Sequence, residues 1–323
     1  MFLNFFRKGM IMNNNEKTQN ALNGRKINYD MFRMKICAIG YLLQKYQDPT
    51  ETKAMILCDA ESGEGGEANG RTGKGLLVEA VSKLVPTVKV NGKAWDPRKD
   101  KFAFSQMRPG ARVFAVDDCK RNFSLEPLFS ILTEGMQVER KGQNAFRIPR
   151  EDSPKFVLTM NGVMTTGGAS ERARRYEVPF SDFYSDKFSP KDRFGAIFFE
   201  DWSEEEWNKF DNFMLNCVGY FMNGGFAKPA NDVLNARKFE DLCYYSHELE
   251  ETFNFIANEL KLGRFIKSAE LKERIEKASE GMSEAQRKSL TSMRIMQTLN
   301  VLVPVKSVVK KADGTTIRGI ALG

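Results

Sequence analysis

The sequence predicts an α/β chain: a three-layer core, then helical additions and a basic C-terminal segment. Three observations carry this. Short apolar runs at residues 53–60, 112–116, 155–160 and 176–180 are separated by stretches with helical or hairpin patterning. A glycine-rich stretch, residues 61–75, lies between the first of those runs and a segment with helical spacing. After Phe180 the texture changes to Phe and Trp with acidic residues, and a helix-start signature appears at Ser203 to Glu206. Alternating strand and helix signals place helices against the faces of a mostly parallel sheet.

Bulk properties narrow the chemistry. The 323 residues suffice for a buried core with additions around it. Lys and Arg number 49 against 42 Asp and Glu, a net charge of +7, so the chain is mildly basic and suited to a polyanionic partner. Residues 251–323 hold 13 of the basic residues and 8 of the acidic ones, which makes the C-terminal end the basic one. Five scattered cysteines without a CxxC pair exclude a complete disulfide framework and fit a reducing cytoplasm. The apolar start, residues 1–12, is broken by Arg7 and Lys8, and no run approaches 18 apolar residues, so neither a signal peptide nor a membrane partner is expected. His247 is the single histidine, which excludes His-based triads and His-rich zinc sites. The chemistry is left to carboxylates, lysines and arginines.

Taken in order, residues 1–28 read as a flexible leader, rich in Asn, Lys and Gln from residue 13. Residues 29–50 form a helical segment, with Met31, Met34, Ala38, Tyr41 and Leu42 along one face. Residues 51–185 hold the α/β core. Residues 186–248 read as a helical subdomain, in which a capping signature at Ser203 to Glu206 precedes Trp207, Phe210, Met214, Cys217 and Phe221. In residues 249–323 helices are followed by two strand-like runs, 301–311 and 315–322, that flank the hairpin-turn pair Asp313 and Gly314. Helices followed by a hairpin give a winged-helix outline.

The clearest chemical signal is Asn69, Gly70, Arg71, Thr72, Gly73, Lys74 and Gly75, at the junction of strand, glycine loop and helix. A loop of this kind points backbone N–H groups and the helix dipole at phosphates, and Lys74 would reach the β and γ phosphates. The plain alternative is a flexible surface loop. Ala68 stands where a phosphate-binding loop usually has its first glycine, and Gly75 where it has a Ser or Thr hydroxyl for Mg²⁺. A metal would then rely on Asp117, water and the phosphates, or recruit Thr72. In residues 113–118 (VFAVDD) four apolar residues end in two carboxylates: Asp117 suits Mg²⁺, held through water, and Asp118 suits the attacking water. By itself such a run is also any strand ending in a polar turn. Asn161, at the end of residues 155–161 (KFVLTMN), is placed to contact the γ-phosphate or the lytic water. The cluster Arg172, Arg174 and Arg175 would supply an arginine to the ATP of a neighbouring copy, or else form a solvated basic turn.

In this order, ANGRTGKG, VFAVDD, LTEG at residues 132–135, FVLTMN and RARRYEVPF resemble the Walker A, B and B-prime motifs, motif C and the arginine finger of superfamily 3 helicases. The likeness spans about residues 30–225 and is to the helicase half of phage and bacterial primase-helicase proteins. It implies an AAA+-like P-loop NTPase core using ATP and Mg²⁺, with Lys74, Asp117, Asp118, Asn161, Arg174 and Arg175 catalytic. It also implies a homo-oligomeric ring, a hexamer in such proteins, that works on single-stranded DNA or a replication fork beside a primase or other replication proteins, in the cytoplasm of a bacterial host. A hairpin at residues 136–148 would line the ring channel, where Arg140 and Lys141 would contact phosphates and Gln143 sugar or base edges. Arg287, Lys288, Arg294, Lys306, Lys310, Lys311 and Arg318 would suit duplex or fork contact, or form a solvated face. Two other readings stay open: a DNA-binding scaffold with a silent nucleotide site, and a P-loop kinase for a small molecule.

Overall fold

The computed structural model describes residues 11–12, 26–61, 70–120, 123–164, 169–243, 246–312 and 315–323. Most of the leader, Ala68 and Asn69 of the glycine loop, and the Asp313 and Gly314 turn lie outside the described residues. The described residues divide into two compact units, one up to residue 234 and one from residue 235 onward.

In the first unit an antiparallel pair, β1 (Ile11–Met12) and β2 (Lys26–Ile27), precedes α1 (Tyr29–Leu43). The Asn28 side chain starts α1 by accepting the N–H groups of Asp30 and Met31, both at 3.0 Å. Then follow β3 (Ala54–Asp59), α2 (Lys74–Ser82), β4 (Thr87–Asn91), β5 (Val113–Cys119) and α3 (Phe129–Glu134). A hairpin of β6 (Gly135–Val138) and β7 (Phe146–Pro149) leads to β8 (Lys155–Met160), α4 (Ala169–Ala173) and β9 (Arg175–Phe180). Two helices follow, α5 (Pro190–Phe194) and α6 (Glu204–Gly224), the latter capped by the Ser203 hydroxyl, which accepts the Glu206 N–H.

β3, β4, β5, β8 and β9 form one parallel sheet in the order β4-β5-β8-β3-β9. Strand side chains alternate between faces, and here they divide between two cores. Met55, Leu57, Val113, Ala115, Val157, Val178 and Phe180 pack with α1, α2 and α6. Ile56, Cys58, Phe114, Val116, Phe156 and Leu158 pack against a layer that includes Trp95, Met107, Leu132, Val138 and Ile148. The second layer is thus built of turns, the short α3 and the hairpin. With both faces covered, central strands are apolar through their middles, which is why residues 54–58 and 156–158 read as unbroken runs.

Two contacts fasten α1 to its neighbours. Gly40 lets α6 approach closely: a Cβ there would lie 2.7 Å from the Phe221 Cβ and would also run into the Cys217 carbonyl. Lys155 of β8 donates to the Tyr41 and Gln44 carbonyls at 2.6 and 2.8 Å, satisfying the C-terminal end of the helix. Burial pushes the Lys155 amine down to about 7. Trp202 and Trp207 belong to an aromatic cluster with Phe199 and Phe210.

α7 (Asn231–Cys243) begins in the first unit and continues into the second. That unit holds α8 (His247–Lys261), β10 (Ile266–Lys267), α9 (Ser268–Ala278), α10 (Glu284–Ser289) and α11 (Ser292–Leu302), then the hairpin β11 (Val305–Ala312) and β12 (Thr315–Leu322). β10 pairs with β12, giving a three-stranded antiparallel sheet in the order β10-β12-β11. Its core gathers Leu249, Phe253, Ile256, Leu271, Ile275, Leu299 and Ile320. Among the described residues no helix is long and apolar enough to cross a membrane.

Candidate functional site

Because the five strands are parallel, their carboxyl ends share one edge of the sheet, where open α/β sheets bind ligands. β3 ends there at Asp59, β5 runs into Asp117 and Asp118, and β8, lying between them, runs into Asn161.

The glycine loop enters α2 through Gly73, whose φ of 100° is in the left-handed region, and Lys74 is the first helical residue. The Leu77 N–H is the first to bond back, to the Gly73 carbonyl at 3.2 Å. The N–H groups of Lys74, Gly75 and Leu76 therefore have no acceptor within the helix. Thr72 and Lys74 are buried while Gly70, Arg71 and Gly75 are exposed. The Lys74 ammonium pairs with the Asp59 carboxylate. The Thr72 hydroxyl donates to the same Asp59 oxygen at 2.7 Å and lies 3.2 Å from the Lys74 nitrogen. Sequence reading missed Asp59, which ends an apolar strand 15 residues before its partner.

The acidic pair interrupts its strand. Pairing of β5 with β8 shifts register between Val116 and Cys119, and Asp118 takes φ 57°. The Thr159 hydroxyl donates to Asp117 Oδ1 at 2.6 Å and accepts the Asp118 N–H at 2.8 Å. Asn161 Nδ2 is 3.4 Å from Asp118 Oδ1, and Lys93 Nζ is 2.6 Å from Asp118 Oδ2. The bond to Asp118 raises the pKa of Lys93. Burial, reinforced by the charges of Asp117 and Asp118, pushes the Cys119 thiol up to about 12. Lys93 and Thr159 are further residues that no sequence pattern marked.

The arginines lie elsewhere. Arg175 pairs with Ala54, the first residue of β3, at the amino edge of the sheet. Five residue steps along β3 separate that edge from the Asp59 end, roughly 17 Å at about 3.3 Å per residue. Arg175 is buried between Glu171 at 3.6 Å and Glu177 at 3.4 Å, and its Nη2 donates to the Met164 carbonyl at 3.3 Å. Glu171 has its pKa raised by burial, which outweighs the opposing charge of Arg175. Arg174 is half-buried, with its guanidinium over the Phe129 ring at 4.9 Å and Nη1 donating to the Ser170 hydroxyl at 2.5 Å.

The basic hairpin splits in the same way. Arg140 does not project from the tip: its Nε and Nη2 donate to the Ser105 and Met107 carbonyls at 3.1 and 2.5 Å, and it stacks on Phe146. Lys141, Gln143 and Asn144 are exposed around Gly142, which takes φ 70°. In the second unit Arg287, Lys288, Lys306, Lys310, Lys311 and Arg318 are exposed, and Arg294 is half-buried.

No family profile and no curated protein matches the chain. Among solved structures it is similar to the apo C-terminal region of NrS-1 in its A form, with a TM-score of 0.38 and 14% identity, over 91% of this chain and 75% of that one. The functional reading therefore rests on the geometry of the site itself.

Proposed function

We propose that the sheet-bearing unit is a P-loop NTPase core of the AAA+-like, superfamily 3 type, and that the chain is an ATP-dependent DNA helicase or translocase of phage or mobile-element replication. The observation that carries this reading is the convergence of Lys74, Asp117, Asp118 and Asn161 on one sheet edge, with the Asn161 strand between the other two. That strand order puts a neutral amide between the phosphate end and the acidic end of the site.

The donor set fits a nucleoside triphosphate with magnesium. Lys74 and the first N–H groups of α2 suit the phosphates, while Asp117 and the Thr72 hydroxyl suit the metal. When bound, Mg²⁺ would neutralise charge on the phosphate oxygens. Lys74 exchanges Asp59 for phosphate. Asp118 orients the attacking water and takes its proton, steadied by Asn161. Arg174 is the finger of this reading: about 17 Å from its own loop by strand length, it serves the site of a neighbouring copy, which requires a ring such as a hexamer. Arg175 holds the strand start that carries Arg174. Lys141 and Gln143 take single-stranded DNA, with Arg140 fixing the base of their hairpin. The basic second unit, winged-helix-like in outline, contacts the fork, beside a primase or other replication protein.

Gly75 favours one competitor, a DNA-binding scaffold whose nucleotide site is silent. A P-loop kinase for a small acceptor is the other. ATP hydrolysis measured with and without single-stranded DNA separates the three: the motor is stimulated by DNA, the scaffold shows no turnover, and the kinase responds to its acceptor.

A further inference from the structure

The two carboxylates of the acidic strand face one site only because the strand is bent out of register. In a regular strand neighbouring side chains point to opposite faces. Yet Asp117 meets Thr159 near the end of β8 and Asp118 meets Asn161 just beyond it, so these neighbouring side chains both reach partners at the same strand end. The left-handed φ of Asp118 and the register shift after Val116 produce this. A non-glycine residue in that conformation costs roughly 1 kcal/mol or more, so something must hold it.

We infer that Thr159 is the positioning residue that holds both carboxylates, an assignment that rests on the hydrolase reading above. Its hydroxyl carries one proton. Donating that proton to Asp117 Oδ1 at 2.6 Å leaves the oxygen lone pairs to accept the Asp118 N–H at 2.8 Å. The hydroxyl thus replaces the main-chain acceptor that the broken ladder no longer offers, and it aims the Asp117 carboxylate in the same act. Thr159 is only 4% exposed, so water does not substitute readily. On the opposite side the Gly92 N–H donates to the Asp117 carbonyl at 2.5 Å, and a Cβ on Gly92 would meet that oxygen at 2.8 Å and the Cys119 Cα at 2.9 Å. The bend is clamped between a side-chain hydroxyl and a bare backbone.

The test compares T159V, which keeps the shape without the hydroxyl, with T159S, which keeps the hydroxyl, in the full chain. Binding of a fluorescent ATP analogue, Mn²⁺ affinity by electron paramagnetic resonance in the presence of ATP, and kcat and KM are read for each. T159V is expected to bind the ATP analogue as wild type does, to lose about 10–100-fold in Mn²⁺ affinity and in kcat, and to keep KM for ATP. T159S is expected to recover most of both. Wild-type kcat and Mn²⁺ affinity in T159V, or T159S as impaired as T159V, would overturn the assignment. Should T159V not fold, T159S decides alone: near-wild-type values support the hydroxyl, and lost values refute it. A wild-type chain that binds no ATP analogue refutes the hydrolase reading itself, which the first measurement reveals separately.

Discussion

The ammonium of Lys74 and the carboxylate of Asp59 form an ion pair in which both side chains are buried, at the point where the glycine loop enters its helix. Lys74 thus has an anion beside it before any phosphate arrives. Binding a triphosphate requires Lys74 to exchange one anion for another.

Asp59→Asn separates these states. Removing one partner of a buried pair costs about 3–5 kcal/mol, so the ligand-free variant is expected to melt well below wild type. Phosphates would then supply the missing charge, so MgATP is expected to raise Tm more in the variant than in wild type. Equal shifts in thermal melting would show that Lys74 does not leave Asp59 for the nucleotide.

Gly75 is open to repair. It is exposed and helical, and a Cβ there meets nothing within 4 Å. Gly75→Ser should fold, gaining about 0.5 kcal/mol of helix stability, and should place a hydroxyl where phosphate-binding loops usually carry one. The Mg²⁺ concentration for half-maximal ATP hydrolysis is expected to fall several-fold. An unchanged Mg²⁺ titration would mean that Thr72 and Asp117 already complete the metal's needs.

Helix packing gives a prediction independent of function. Gly40→Ala drives a methyl group against Phe221 and the Cys217 carbonyl. Overpacking of this kind costs about 1–3 kcal/mol, to be read as a lower midpoint in urea with an unchanged m-value.

Lys35, wholly buried on α1 and stacked on Phe180 at 4.2 Å, is pushed down to about 7 by burial. In the unfolded chain it titrates near 10.5. Between those values the unfolded state binds the extra proton, so stability rises with pH across that window and is lowest below its lower end. Lys155 acts in the same direction. Urea midpoints are expected to rise from about pH 7 to about pH 8, short of the range, about 8.5, where unfolded cysteines ionise. Lys35→Met should raise the midpoint at pH 7 and flatten the slope. A midpoint that falls over this range in wild type contradicts the assignment.

The parallel sheet was legible because strands covered on both faces carry unbroken apolar runs, as at residues 54–58, 113–116 and 156–158. The edge strand β4, Thr87–Asn91, is half-exposed and alternates Val with Lys89, so it announces itself weakly. Of the site, the loop, the acidic pair and Asn161 could be read because each stands at the end of a strand or the start of a helix. Partners supplied across the sheet could not: Thr159 is 42 residues from Asp117, and Lys93 is 25 from Asp118. Arg140 reads as a hairpin tip until the Ser105 and Met107 carbonyls, more than 30 residues upstream, claim its guanidinium. Arg175 reads as part of a turn until strand β9 is seen to begin with it, facing Glu171 and Glu177.

The central claim is that the Lys74 loop holds ATP for hydrolysis. Phosphate release from MgATP by the full chain with single-stranded DNA, beside Lys74→Ala under the same conditions, tests it most directly. The expected result is turnover in wild type that falls by at least about a hundredfold in the variant, the scale on which transition-state charge is stabilised. Equal phosphate release from both proteins, or none from wild type, would contradict it.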